Sequence, residues 1–140
     1  MTIKEKETEI IDAFGNFDDW LDKYNYIIDM GRELPLIAPQ YKTKQYLISG
    51  CQSSVWLHAE YLDGKIYFTA DSDAVITKGI VNLLIGLLSG QTPDAILSAD
   101  MGFVEKIGLK EHLSPTRSNG LMSMIKQIKL YALAFKTKHE

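Results

Sequence analysis

The chain is nearly without cysteine: Cys51 is the only one in 140 residues. That scarcity excludes an intramolecular disulfide. It also argues against a zinc centre or an iron–sulfur cluster held within one chain, since both need several thiolates, or thiolates with histidines. His58, His112 and His139 are the only histidines and lie far apart in the sequence, so no metal-ligand spacing arises. There is no Ser–His–Asp order and no glycine-rich phosphate loop. An excess of positive charge is missing too. The net charge of −3 gives no reason to expect nucleic acid as a partner, which would usually show as a basic face. The longest apolar run, residues 80–88, is interrupted by Asn82 and is too short to span a bilayer. The opening Met1-Thr2-Ile3-Lys4-Glu5-Lys6-Glu7 carries charges where a signal peptide would carry an apolar core. With one free thiol, these absences predict a reducing, cytoplasmic setting. Linkers, repeats and low-complexity tracts are absent as well, so residues 1–140 are expected to form a single domain.

What is present is an ordinary globular composition, 46% hydrophobic and 24% charged. The pattern opens with helical periodicity at Glu7, Ile10, Ile11 and Phe14, closed by Gly15. Asn16 is expected to cap a second helix that carries Trp20, Leu21, Tyr24, Ile27 and Ile28 on one face and stops at Gly31. A loop through Leu34-Pro35 and Ala38-Pro39 leads to a short strand near 46–49. Val55, Leu57, Ala59 and Tyr61 then alternate with Trp56, His58, Glu60 and Leu62. Asp63-Gly64 is a two-residue hairpin signal, and 65–69 is the returning strand. Ser72 is expected to cap a helix reaching about Leu88, with Ile76, Ile80, Leu83, Leu84 and Leu87 inward. Gly79 and Gly86 inside it each cost about 1 kcal/mol relative to Ala, which close packing on the sheet would explain. Thr92-Pro93-Asp94 starts a short helix, and another spans about 103–107. The last helix follows Ser114-Pro115 with a stripe of Leu121, Met124, Ile125, Ile128, Tyr131 and Phe135. Helices, a small antiparallel sheet of about three strands, then helices packed on it: this order predicts an α+β domain.

A lone cysteine is by default a small buried hydrophobe. The neighbours of Cys51 argue otherwise. Gly50 permits a tight or left-handed backbone before the thiol, and Gln52, Ser53 and Ser54 are too polar for a buried strand. Cys51 is therefore expected on a loop at a strand end, where reactive groups often sit. His58 alternates with Trp56 and Glu60 and lies too far along its strand to pair with Cys51.

The run Gly50-Cys51-Gln52-Ser53-Ser54-Val55-Trp56 resembles the signature of the SufE family of sulfur-acceptor proteins. The resemblance continues in Tyr26-Ile27-Ile28 with Gly31 and Leu34-Pro35, in Asp71-Ser72-Asp73-Ala74, in Lys78-Gly79, and from Leu113 through Ser114, Pro115, Thr116, Arg117, Ser118, Asn119 and Gly120 to Leu121. These blocks spread over most of the chain. The resemblance implies an α+β fold shared with IscU-type scaffolds. It implies that Cys51 carries a persulfide, taken from a pyridoxal-phosphate cysteine desulfurase of the SufS type, which the protein stimulates. The sulfur would then pass to a SufBCD-like iron–sulfur assembly scaffold. No resident cofactor or metal, no nucleic acid and no membrane partner are expected, and the protein would be a monomer or homodimer.

Around the thiol, Gly50, Gln52 and Ser53 are expected to shape the loop. Asp73 either favours a helix N-terminus or helps position that loop. Arg117 falls where a helix dipole gains nothing from a cation. It is either a solvated charge or a group that contacts the partner or stabilises a thiolate. Three functions are open: an accessory sulfur carrier for a SufS-type or CsdA-type desulfurase, a cluster scaffold, or an independent thiol-dependent redox enzyme. One cysteine speaks against the scaffold. The absence of a basic neighbour to Cys51 in the sequence speaks against the redox enzyme.

Overall fold

The computed structural model describes residues 2–139. Helix α1 (Ile3–Gly15) starts with a capping box: Glu5 N–H donates to Thr2 Oγ1 at 3.1 Å, and Thr2 N–H donates to Glu5 Oε1 at 3.0 Å. Asn16 does not begin the second helix. It closes α1 in a helical conformation (φ −77°, ψ −9°), whereas an N-cap needs extended backbone. Asp19 has that backbone (φ −129°, ψ 167°) and caps α2 (Trp20–Gly31), accepting from Asp22 N–H at 2.9 Å. Leu21 is 67% exposed and not on the inner face, because one residue past Trp20 is a turn of about 100° away from the Trp20, Tyr24, Ile27 row.

Strands β1 (Val55–Leu62) and β2 (Lys65–Ser72) pair antiparallel, from Val55 opposite Ser72 to Leu62 opposite Lys65. Asp63 (φ 52°) and Gly64 (φ 81°) are both left-handed, which makes the type I′ turn that the Asp-Gly pair signals. The inner face buries Val55, Leu57, Ala59, Ile66, Phe68 and Ala70. Among the described residues the sheet has two strands, not three. The segment expected as the third folds at Lys44–Tyr46 into a 3₁₀ turn and pairs with β1 through a single isolated bridge, Leu47 to Trp56, not a ladder. It then curls away at Gly50, so no ladder can extend. Leu36 and Gln91 bridge to β2 on its other edge, which leaves both edges partly covered.

Helix α3 (Val75–Leu88) is buried almost all round and forms the centre of the core. It packs on α2, on β2, and on α1 and α7. Ser72 stays in β2, three residues beyond the expected strand end. The cap position of α3 is Ala74, and it makes no side-chain cap bond. Gly79 is explained by α2 and not by the sheet. A Cβ there would lie 2.6 Å from the Ile27 carbonyl carbon and 2.7 Å from Ile27 Cγ2, so only a glycine lets the two helices meet this closely. Gly86 faces open space. Short helices α4 (Pro93–Ser98), α5 (Phe103–Lys106) and α6 (Leu109–His112) lead to α7 (Pro115–His139). Its stripe buries Leu121, Met124, Ile125 and Ile128 against the rest. Tyr131, partly buried, donates its hydroxyl to Leu57 O at 2.9 Å and ties α7 to β1.

Candidate functional site

The loop between Leu47 and β1 carries Cys51. Its near end is set by Ile48 N–H donating to Val55 O at 2.8 Å. Its far end is set by Ser54, which is held three times: its N–H donates to Asp73 Oδ1 (3.0 Å), and its carbonyl accepts from Ser72 Oγ (2.8 Å) and Asp73 N–H (3.3 Å). Ser72 Oγ also accepts from Ala74 N–H at 3.3 Å, so one hydroxyl joins the loop to the start of α3. Gly50 has φ +89°, and a Cβ there would stand 2.5 Å from Ser123 Oγ on α7. The turn therefore needs a glycine for its backbone angle and for room.

This folding lays the Cys51 side chain, half-buried, against the N-terminal part of α7. Sγ donates to Gly120 O at 3.6 Å. Gly120 leaves the thiol space, since a Cβ there would lie 3.7 Å from Sγ, in van der Waals contact. Beneath Cys51 is a cavity of about 20 Å³, close to the space of one water, walled by Thr77 and Ile80 of α3 and by Thr116, Arg117, Gly120 and Met124 of α7. Gln52 and Ser53 complete it from the loop. On the outer side, the loop and Lys44 border a wider, open cleft of about 320 Å³. Burial pushes the Cys51 thiol above its ordinary value. At neutral pH the resting group is the thiol, and its hydrogen bond to a carbonyl suits that form.

Arg117 reaches the cavity rim from the first turn of α7. Its N–H donates to Ser114 Oγ at 3.3 Å, and its guanidinium donates to Tyr24 Oη on α2 at 3.4 Å. Gly50, Gln52, Ser53 and Arg117 thus gather around Cys51, while Asp73 acts one step away, through Ser54. His58 is elsewhere, on the outer sheet face, stacked on Tyr41 with ring centroids 3.9 Å apart. Sequence reasoning missed Thr77, Ser54 and Tyr24 as parts of this site. The buried Thr77, a polar residue amid an apolar helix, was the one available signal. Among the described residues, no group of three or more His, Cys, Asp or Glu could hold a metal ion, and no helix is long and apolar enough to cross a membrane.

One half-buried thiol on a pinned loop, set on an α+β frame, defines a single-thiol domain. The chain belongs to the SufE family: the sequence model of the SufE, Fe-S metabolism associated domain, matches residues 8–132. An uncharacterized SufE-like protein of Rhizobium meliloti is 40% identical over 126 residues, 86% of this chain and 90% of the relative. One from Rhizobium etli is 40% identical over 127 residues, 86% of this chain and 85% of the relative. The solution structure of a hypothetical protein from Thermus thermophilus shares the fold. Its TM-score is 0.79 at 22% identity, over 94% of this chain and 96% of that one. Family membership places the chain in iron–sulfur metabolism, in a sulfur-transfer role that implies interaction with a cysteine desulfurase.

Proposed function

We propose that this protein is a cytoplasmic sulfur acceptor and carrier. Cys51 takes sulfane sulfur from a SufS-type, pyridoxal-phosphate-dependent desulfurase and delivers it to a SufBCD-like assembly scaffold. A CsdA-type desulfurase would meet the same site. The observation that carries this reading is the setting of Cys51: one thiol over a cavity of about one atom's room, on a short loop with fixed ends. The thiolate of Cys51 attacks the outer sulfur of the donor's persulfide. A new S–S bond forms, the old one breaks, and the donor cysteine leaves as thiolate. The outer sulfur keeps its proton, and there is no net oxidation. Removing that sulfur frees the donor cysteine for its next turnover, which is how an acceptor accelerates its enzyme.

The cavity supports the carrier half of the role, because a terminal sulfur folded inward is shielded from other thiols. The test is intact mass after incubation with a desulfurase and cysteine. Wild type should gain one sulfur atom and stimulate sulfide release. Cys51→Ser should fold but do neither, since serine is a far poorer nucleophile at neutral pH. Retained stimulation by folded Cys51→Ser refutes the proposal.

A further inference from the structure

Among the described residues, Arg117 is the one charged side chain lining the cavity under Cys51. Its guanidinium is nevertheless not bonded to the thiol: Cys51 Sγ donates to Gly120 O, and the Arg117 side chain donates elsewhere. The geometry shows where that charge is spent. Arg117 Nη1 donates to Tyr24 Oη at 3.4 Å, and Tyr24 sits on α2, an element that contributes no residue to the cavity wall. The Arg117 backbone is fixed by its bond to Ser114 Oγ, so moving the guanidinium needs only side-chain rotation. A long, solvent-shared hydrogen bond is a weak restraint and easily exchanged.

We propose that Tyr24 is a positioning residue for Arg117: its hydroxyl holds the guanidinium away from Cys51 Sγ in the free protein, and losing that contact lets the cation stabilise the thiolate. The hydrogen-bond partner of Sγ makes such help necessary. Gly120 O accepts from a thiol but repels a thiolate. Among the described residues, no other charged group supplies it: Lys44 borders the outer cleft and is exposed, and Asp73, which meets the loop at Ser54, is an anion that would repel a thiolate. The remaining wall groups, Thr77, Thr116, Gln52 and Ser53, carry no charge. That a docked desulfurase is what displaces Tyr24 rests on the function proposed above; the restraint itself does not.

The experiment needs no partner. Alkylation of the only cysteine by iodoacetamide is followed by mass against pH for the full-length wild type, Tyr24→Phe, Arg117→Ala and the double variant. Tyr24→Phe should raise the rate at neutral pH about two- to fivefold, the effect of gaining one solvent-shared opposite charge, and move the rate profile to lower pH. In the Arg117→Ala background the same change should do nothing. An unchanged or slower Tyr24→Phe overturns the proposal. So does a rise that persists without Arg117, which would mean general loosening of the loop. A failure of sulfur acceptance would leave this result standing.

Discussion

Helices α2 and α3 meet through Gly79, and the contact can be tested quantitatively against a second glycine in the same helix. Gly79→Ala places a methyl 2.6 Å from the Ile27 carbonyl carbon, where ordinary contact begins near 3.4 Å. The obstacle is helix backbone, which cannot rotate aside. The helices must part by the better part of an ångström along a buried seam. Overpacking of this kind costs about 1–3 kcal/mol, and more when the backbone must move. Alanine returns up to about 1 kcal/mol of helix propensity. Because backbone must move here, the cost falls at the upper end, about 3 kcal/mol, and the net expectation is a loss of about 2 kcal/mol, or roughly 4–8 °C in Tm for a chain of this size. Gly86→Ala gains the same propensity, faces open space and is exposed, so it should gain about 1 kcal/mol. Urea and thermal unfolding of both variants beside wild type measure the pair. Gly79→Ala within about 0.5 kcal/mol of wild type, or a destabilised Gly86→Ala, refutes the reasoning. Because Thr77 and Ile80 flank Gly79 and wall the thiol cavity, a folded Gly79→Ala should also alkylate faster at Cys51.

Asp73→Ala deletes the acceptor for Ser54 N–H, an exposed charge-assisted bond of about 1 kcal/mol. Loop opening should rise about fivefold, read as faster Cys51 alkylation with Tm little changed. Asp73→Asn, which keeps an acceptor oxygen, should recover part of the difference, and equal rates for Ala and wild type would remove Asp73 from the site. The buried thiol also predicts a pH dependence. Its folded-state value is raised, so the folded protein holds that proton more tightly than the unfolded chain. The stabilisation is full below the unfolded value of about 8.5 and is lost as pH climbs from there toward the raised folded value. Wild type should therefore weaken relative to Cys51→Ser in urea titrations above about pH 8.5. Parallel curves for the two proteins would show that the thiol is not buried in solution.

Periodicity made the helices and the hairpin legible. The stripe of α7 and the alternation of β1 each bury one face, and Asp63-Gly64 has no better use than a I′ turn. The boundaries were less legible, for physical reasons. Asn16 and Asp19 are both good caps, and the choice between them depends on backbone angles set by how α1 and α2 pack. Ser72 looks like a cap because serine caps helices, yet its hydroxyl is needed by Ser54 O, a group 18 residues away that sequence does not place beside it. The thiol itself was marked by its polar neighbours. The cavity was not, because Thr77, Gly120 and Met124 come together only when α3 and α7 cross under the loop. The Arg117–Tyr24 contact spans 93 residues and leaves no local trace.

The two fixed ends of the cysteine loop set a tether length. Ile48 is held by Val55, and Ser54 by Asp73 and Ser72, so Cys51 stands three residues from either anchor. Three residues at full extension cover about 10 Å. With both anchors closed, the Cys51 Cα cannot travel farther than that from the edge of β1, and the sulfur reaches one short side chain beyond it. For the function proposed above, a donor cysteine must therefore come to within that reach, on a loop or in a pocket shallow enough to admit a hairpin-like tip. A donor thiol lying deeper can be reached only after one anchor lets go. Ser54, bonded to groups at the very start of α3, is the anchor whose release would lengthen the tether at once.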